Sequence, residues 1–350
     1  MNCNLKFRIK ISLFFLISFF VFGCNQDKKI DTGNIKLEVD IQRFDQELFQ
    51  IKPSELAQKL PELKKKYGVF YVDYFEKILS VGSTKDTAYY EVVRQVLSGT
   101  PFQDLQRESD SVFKNLNTQK PELEEAFKHI KYYYPKYKIP KIITYISGFQ
   151  VQTPIGADYV GVGLDMFLGK QSKFYPALVE SVPRYISRRF TPENITPRVV
   201  EVITREELFP ESDADKSLLA KMIYNGKLLY FMKKILPETA DSTLIGYSTQ
   251  QMKWAVDFES DSWAYFLENN LLFDTDYFKI QKYLAEAPFT PGLGTQNDSA
   301  PKLGLFLGWQ IVIKYMENQP DVSLQALMLE TDPQKILNLA KYRPSLKTND

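Results

Sequence analysis

Imidazole and thiol are the scarcest groups in this chain: its 350 residues hold one His and two Cys. A zinc site built on two or three His, a Cys-rich metal cluster and a disulfide scaffold all lack their ligands, so no metal and no cofactor is expected. An excess of charge of one sign is missing as well. Lys and Arg number 44 against 43 Asp and Glu, a formal net charge of +1, which calls for no polyanionic partner and argues against nucleic acid binding. Low complexity is also lacking. Counts of 19 Pro and 16 Gly are ordinary, while 44% hydrophobic and 14% aromatic residues suffice to bury a core. The composition is that of a folded protein with little material for thiol or imidazole chemistry.

Residues 1–23 combine Lys6, Arg8 and Lys10, an apolar run from Ile11 to Phe22 broken by Ser12 and Ser18, and Gly23 before Cys24. This is the pattern of an export signal. The run falls short of the about 20 residues that a spanning helix needs. The polar stretch Asn25-Gln26-Asp27-Lys28-Lys29 follows at once. Gly23-Cys24 resembles the bacterial lipobox, with Val21 and Phe22 in place of the usual Leu and small residue. That resemblance implies cleavage before Cys24, lipid on its thiol, and an anchor to a membrane of the cell envelope, with the outer membrane expected. Two or more acyl chains hold durably, at about 0.8 kcal/mol per buried methylene. Cys3 leaves with the signal and Cys24 is capped by lipid, so no cysteine nucleophile remains.

After the signal, residues 24–34 are polar and form a tether. Alternation at Ile35, Leu37, Val39 and Ile41 suits a half-buried strand, and helical spacing follows in 54–66, 69–79, 87–97, 102–116 and 121–134. The pattern changes after Pro140. Ile142-Ile143 with Tyr145-Ile146, and Tyr159 to Leu164, are β-branched and aromatic runs that read as a hairpin or two adjacent strands. Helical spacing resumes through 178–189, 197–208, 216–236, 249–269, 303–316 and 333–341. The fold class expected is α+β, predominantly helical. A single domain over 35–345 is expected, with an N-terminal helical subdomain to about residue 138.

Several residues invite a chemical role. His129 lies in a charged helical stretch and is expected to be exposed or half-exposed, since a Ser-His-acid triad would need a nucleophile elbow that is not present. Lys131 to Lys138 interleaves bases with Tyr132, Tyr133, Tyr134 and Tyr137; a helix end collecting Lys is the favoured account, with glycan or protein contact as the alternative. Gly161-Val162-Gly163 has Met166 where a dinucleotide fingerprint needs a third Gly, so close backbone approach is expected there instead. Asp257, Glu259, Asp261 and Glu268 surround Trp254 and Trp263 on one helical stretch and read as a solvated face. Gly304 and Gly308, four apart on an apolar helix, suit close approach of another helix.

Taken in order, Val162 to Lys170, Pro183 to Ile186, Met222 to Lys227, Trp263 to Phe266, Ala287 to Thr290 and Gly308 to Val312, behind Cys24, resemble the gliding motility lipoprotein GldB family of Bacteroidetes. The resemblance covers nearly the whole mature chain. It implies a lipoprotein of the gliding apparatus, bound to membrane lipid through Cys24 and working with other gliding or type IX secretion envelope proteins. A second resemblance is to zincin-type metallopeptidases. In that pairing Val200-Glu201-Val202-Ile203-Thr204 occupies the H-E-x-x-H segment and Asn225 the third-ligand position, which leaves a degenerate scaffold without a metal site. The function expected is therefore a non-enzymatic envelope component acting through protein contacts, with no catalytic residue and Cys24 as the lipid attachment site. The alternative is an exported hydrolase acting on peptide or glycan without zinc, with Glu201 or Glu259 near an aromatic cleft and its acids clustered at raised pKa.

Overall fold

The computed structural model of the protein describes residues 30–294 and 297–345, so residues 1–23, Cys24 and the first residues of the tether lie outside the described residues. In the compact unit that begins at Thr32, three short strands form a parallel sheet in the order β1 (Ile41–Arg43), β2 (Lys141–Tyr145), β3 (Tyr159–Gly163). Ile41 faces Ile142, and Ile142 faces Val160. β2 and β3 are adjacent strands but not a hairpin. The connection 146–158 folds back so that Pro154 O accepts from Gly161 N at 2.8 Å and Gln152 O from Gly163 N at 2.9 Å. The alternation from Ile35 does not pair until Ile41, because Val39 N donates to the Glu124 carboxylate at 3.3 Å and not to a neighbouring strand.

Helices supply the rest, giving a predominantly helical α+β protein. Ahead of β2 lie α1 (Phe44–Phe49), α2 (Leu56–Tyr67), α3 (Val69–Val72), α4 (Tyr89–Ser98), α5 (Thr100–Val112) and α6 (Gln119–Tyr133). After β3 come α7 (Arg184–Ser187), α8 (Ile195–Val202), α9 (Leu218–Ile235), α10 (Asp241–Ile245), α11 (Thr249–Asp257) and α12 (Glu259–Glu268). The chain then adds α13 (Tyr277–Ile280), α14 (Leu303–Asn318), α15 (Leu324–Leu329) and α16 (Pro333–Ala340). The helix expected over 249–269 is two helices, because Phe258 leaves helical geometry at φ −108° and ψ 25° between α11 and α12. Much of the segment 178–189 is not helical; only the short α7 forms, behind Pro183.

The period-2 alternation of strand side chains divides the interior in two. Ile143, Tyr145 and Tyr159 face a core built by α1 to α4 and the π-helical segment Asp73–Ile78, whereas Ile142, Ile146, Val160 and Val162 face the larger core of α5, α6 and the C-terminal helices. The first core is aromatic. Phe44 meets Tyr67, Phe70 and Tyr74 edge-on with ring centroids 4.8 to 5.1 Å apart, an arrangement that aligns the positive ring edge with a negative face.

In the larger core α9 and α14 cross with their backbones in contact. A Cβ at Gly308 would lie 2.0 Å from Met222 O, and one at Gly226 would lie 2.3 Å from Gly308 O. Glycine at both positions is what permits the crossing, as the spacing of Gly304 and Gly308 suggested. α9 is capped by Ser217, which accepts from Ala220 N, and it buries side chains around much of its circumference.

Candidate functional site

A cavity of about 350 Å³ opens where α8, α9, α10 and the start of α14 meet. Its charged end is made by Arg189, Arg198, Glu201, Arg205, Glu286 and Lys302; the rest is largely leucine, including Leu228, Leu244, Leu284 and Leu305. Four cations against two carboxylates leave two positive charges in excess.

Arg198, Glu201 and Arg205 come from one helical run, and a spacing of three and four residues stacks them on one face. After Val202 the helix widens into a π-helical segment, Ile203–Leu208, where Phe209 N donates to Thr204 O at 2.9 Å. Thr204 Oγ1 donates to Val200 O at 2.6 Å, a side-chain bond into the ladder that loosens a helix locally. π-helical segments of this kind are frequent at functional sites. Arg198 donates through Nε to Gln152 Oε1 at 3.1 Å and through Nη1 to Glu201. Arg205 lies 3.9 Å from Glu201 and donates to Asn225 Oδ1 at 3.2 Å, and the Asn225 amide is oriented in turn by donating to Lys221 O at 2.8 Å.

The opposite wall is assembled by loops. Arg188 donates to Gly246 O at 2.6 Å and to Gln251 Oε1 at 2.9 Å, which pins the end of α7 to the α10–α11 corner. Gly246, with φ +77°, leaves room for Arg189: a Cβ there would lie 2.2 Å from the Arg189 Nη1. Glu286 Oε1 accepts from Arg189 at 2.8 Å and from Lys302 at 2.6 Å, while its Oε2 is buried with no hydrogen-bond partner among the described residues. Lys302 is held in left-handed backbone geometry, φ 52°, and its ammonium donates to Ile245 O at 2.7 Å and sits over the Tyr247 ring. A non-glycine residue in that region stores backbone strain, and the surroundings must hold it.

Electrostatics follow from this enclosure. Burial pushes the Lys302 ammonium down, and although Glu286 opposes the fall the value settles at about 8. Burial alone would raise the Glu201 carboxyl, but the fields of Arg198, Arg205, Arg189 and Lys302 prevail and hold it below the ordinary carboxylate range. Glu201 is therefore an ion-paired carboxylate, the opposite of a general acid. Glu259 is not in this cavity; it accepts from Tyr342 at 2.6 Å on another part of the surface. The two carboxylates of the hydrolase alternative are not brought together.

His129 is buried, not exposed: α6 packs against α9, and the ring Nδ1 meets the α9 carboxyl-end carbonyl Ile235 O at 2.7 Å, so Nδ1 carries the proton. Lys131 donates to Tyr137 O at 3.0 Å and to Pro135 O, tying down the chain after the helix end. Tyr133, Tyr134 and Tyr137 do line a shallow groove with Leu208, and Tyr137 donates to Glu207 at 2.5 Å. Gly161 and Gly163 serve close approach, to Pro154 and Tyr145 and to Val151 O respectively. Asp165, at the end of β3, is fully buried and accepts from Ser147 N, Ser147 Oγ and Phe149 N at 3.1, 3.0 and 2.6 Å. Burial raises its carboxyl despite these donors.

Sequence reasoning placed Glu201 and Asn225 at one site, and they do share this cavity, but it missed Arg189, Arg198, Arg205, Glu286 and Lys302. A signal was present for two of them: Arg198, Glu201 and Arg205 are the only charges in the run Ile195 to Arg205. Among the described residues no group of three or more His, Cys, Asp and Glu is placed to hold a metal, and no helix is long and apolar enough to cross a membrane.

A family model described as gliding motility protein GldB matches residues 25–344. The chain belongs to this gliding motility family. No curated protein and no solved structure matches it. The match covers every residue of the cavity, and it begins at the residue after Cys24. Nothing in it supports the zincin-like pairing.

Proposed function

We propose that the protein is a lipid-anchored component of the gliding apparatus. Residues 1–23 direct export, Cys24 receives lipid after cleavage, residues 24–34 act as the tether, and the body from residue 35 works through contacts with other gliding or type IX secretion envelope proteins. The outer membrane is the expected site. The observation that carries this reading is the family match over 25–344.

One surface suits a protein contact. Phe273, Tyr277 and Phe278, on and just ahead of α13, are exposed, Phe278 by 82%. Large aromatic side chains left in water supply contact area at little entropic cost and are enriched where partners bind.

Membrane fractionation and colony spreading of Cys24→Ala, in cells lacking the native copy, test the reading. A folded variant that leaves the membrane fraction and fails to spread supports the tether; one that stays membrane-bound or spreads normally contradicts it.

A further inference from the structure

We infer that the cavity between α8, α9 and α14 is a binding site for a phosphate-type dianion, either free phosphate or the head of a phosphomonoester. Three arginines and a lysine converge there on a space large enough for a small ligand, and the two carboxylates leave an excess of two positive charges. A dianion balances that excess. Arg presents a planar fork of donors that matches tetrahedral and planar oxyanions, whereas surface lysines hold such groups only as point charges.

The cations are held in place but not used up. The Arg205 guanidinium donates to Asn225 Oδ1 at 3.2 Å, lies 3.9 Å from Glu201 and sits over the Tyr224 ring, contacts that hold it at the cavity wall while it still lines the open space. Arg198 is braced by Gln152 and Glu201, and Arg189 and Lys302 share one oxygen of Glu286. The other oxygen, Glu286 Oε2, is buried and has no donor among the described residues. Hydrogen phosphate carries two negative charges and one O–H, which meets both needs; a phosphomonoester dianion meets the charge alone and would have to donate to Glu286 Oε2 from a hydroxyl on its carbon end.

Lys302 is buried and the three arginines are half-buried beside it, and holding like charges together partly out of water is costly unless an anion joins them. The surroundings also show investment in position. Lys302 is kept in strained left-handed geometry, Gly246 is bare so that Arg189 can pass, and a π-helical segment carries Arg205. A π-helical segment alone does not mark a site, since Asp73–Ile78 forms one in the aromatic core; what marks this place is its coincidence with a strained Lys302 and converging charge. The leucine wall formed by Leu228, Leu244, Leu284 and Leu305 offers room for the carbon end of an ester.

The test titrates the full chain, purified in detergent, with inorganic phosphate and separately with glycerol 3-phosphate at constant ionic strength. Calorimetry and thermal unfolding are the readouts. Saturable heat and a rise in Tm with at least one ligand are expected, with chloride giving neither. Arg205→Gln should weaken binding by about tenfold or more, the cost of one charge-assisted hydrogen bond, while its Tm without ligand stays near wild type. Arg205→Lys, which keeps the charge and loses the fork, should fall between the two. Tighter binding of glycerol 3-phosphate assigns the site to phosphomonoesters, and tighter binding of phosphate assigns it to the free ion. No saturable response to either ligand, or an equal response in Arg205→Gln, overturns the inference. Either result leaves the tether at Cys24 untouched.

Discussion

The aromatic core under α1 to α4 and the cavity under α8 and α14 treat polar atoms in opposite ways. In the aromatic core every tyrosine hydroxyl finds a partner: Tyr74 donates to Ile146 O at 3.0 Å, Tyr145 to Val151 O at 2.7 Å, Tyr159 to Asp73 at 2.7 Å, and Tyr71 and Tyr89 pair at 2.6 Å. In the cavity, Glu286 Oε2 has no donor among the described residues, and Lys302 is both buried and strained. Satisfied polar atoms on large rings stabilise a fold, whereas unsatisfied charge costs stability and is retained where it serves a ligand. The difference separates what holds this protein together from what it uses.

Substitutions in the two regions should act differently. The largest loss of stability is expected from Gly308→Ala, whose Cβ would strike Met222 O, and from Phe70→Ala in the aromatic core. Each should cost about 3 to 5 kcal/mol by denaturant unfolding, or prevent folding, since backbone cannot yield and ring removal leaves a void. A loss below about 1 kcal/mol in either would show that the packing account is wrong.

Asp165→Asn comes next. The amide keeps one acceptor but presents N–H groups to a site where Ser147 N and Phe149 N already donate, so about 2 kcal/mol should be lost. Phe149 is held at φ +64° beside this carboxylate, and the 147–151 turn should be the first region to lose hydrogen-exchange protection.

Lys302 makes a smaller prediction that depends on pH. Its folded value of about 8 lies below the ordinary 10.5. Between those values the unfolded chain holds a proton that the folded chain has released, so stability rises with pH through that window. The groups facing it are Glu286, Arg189, Glu201 and Tyr247; burial pushes the Tyr247 hydroxyl well above its ordinary value of 10, so its opposing effect on stability begins only near pH 10 and leaves the range from pH 8 to 9 to Lys302. From pH 8 to 9 wild type should gain roughly 1 kcal/mol that Lys302→Met does not. A parallel rise in the variant would show that another group titrates. The smallest stability effect, within about 0.5 kcal/mol, is expected from the double replacement Tyr277→Ser and Phe278→Ser. Spreading should nonetheless fail if that face meets a partner.

Part of this contrast was legible in the sequence. Apolar spacing placed α9 and α14 within a few residues, and Gly304 with Gly308 marked the close crossing, because backbone contact demands glycine whatever the neighbours are. The buried state of His129 was not legible: its partner, Ile235 O, is a main-chain atom at the far end of another helix, and the local sequence is charged. The cavity was half legible. Glu201 and Asn225 stood out through a resemblance whose chemistry is absent, while Glu286 and Lys302 lie at opposite ends of a loop that tertiary structure closes, with Thr290 Oγ1 donating to Ala300 O at 2.7 Å. Pairing across such a loop leaves no periodic trace.

The most direct test of the cavity as the working part of the molecule is Arg205→Gln in cells lacking the native copy, measured for both unfolding free energy and colony spreading. Stability within about 1 kcal/mol of wild type together with lost spreading is the predicted result. Normal spreading, or a loss of stability as large as that of Phe70→Ala, would contradict it and make the charges part of the scaffold.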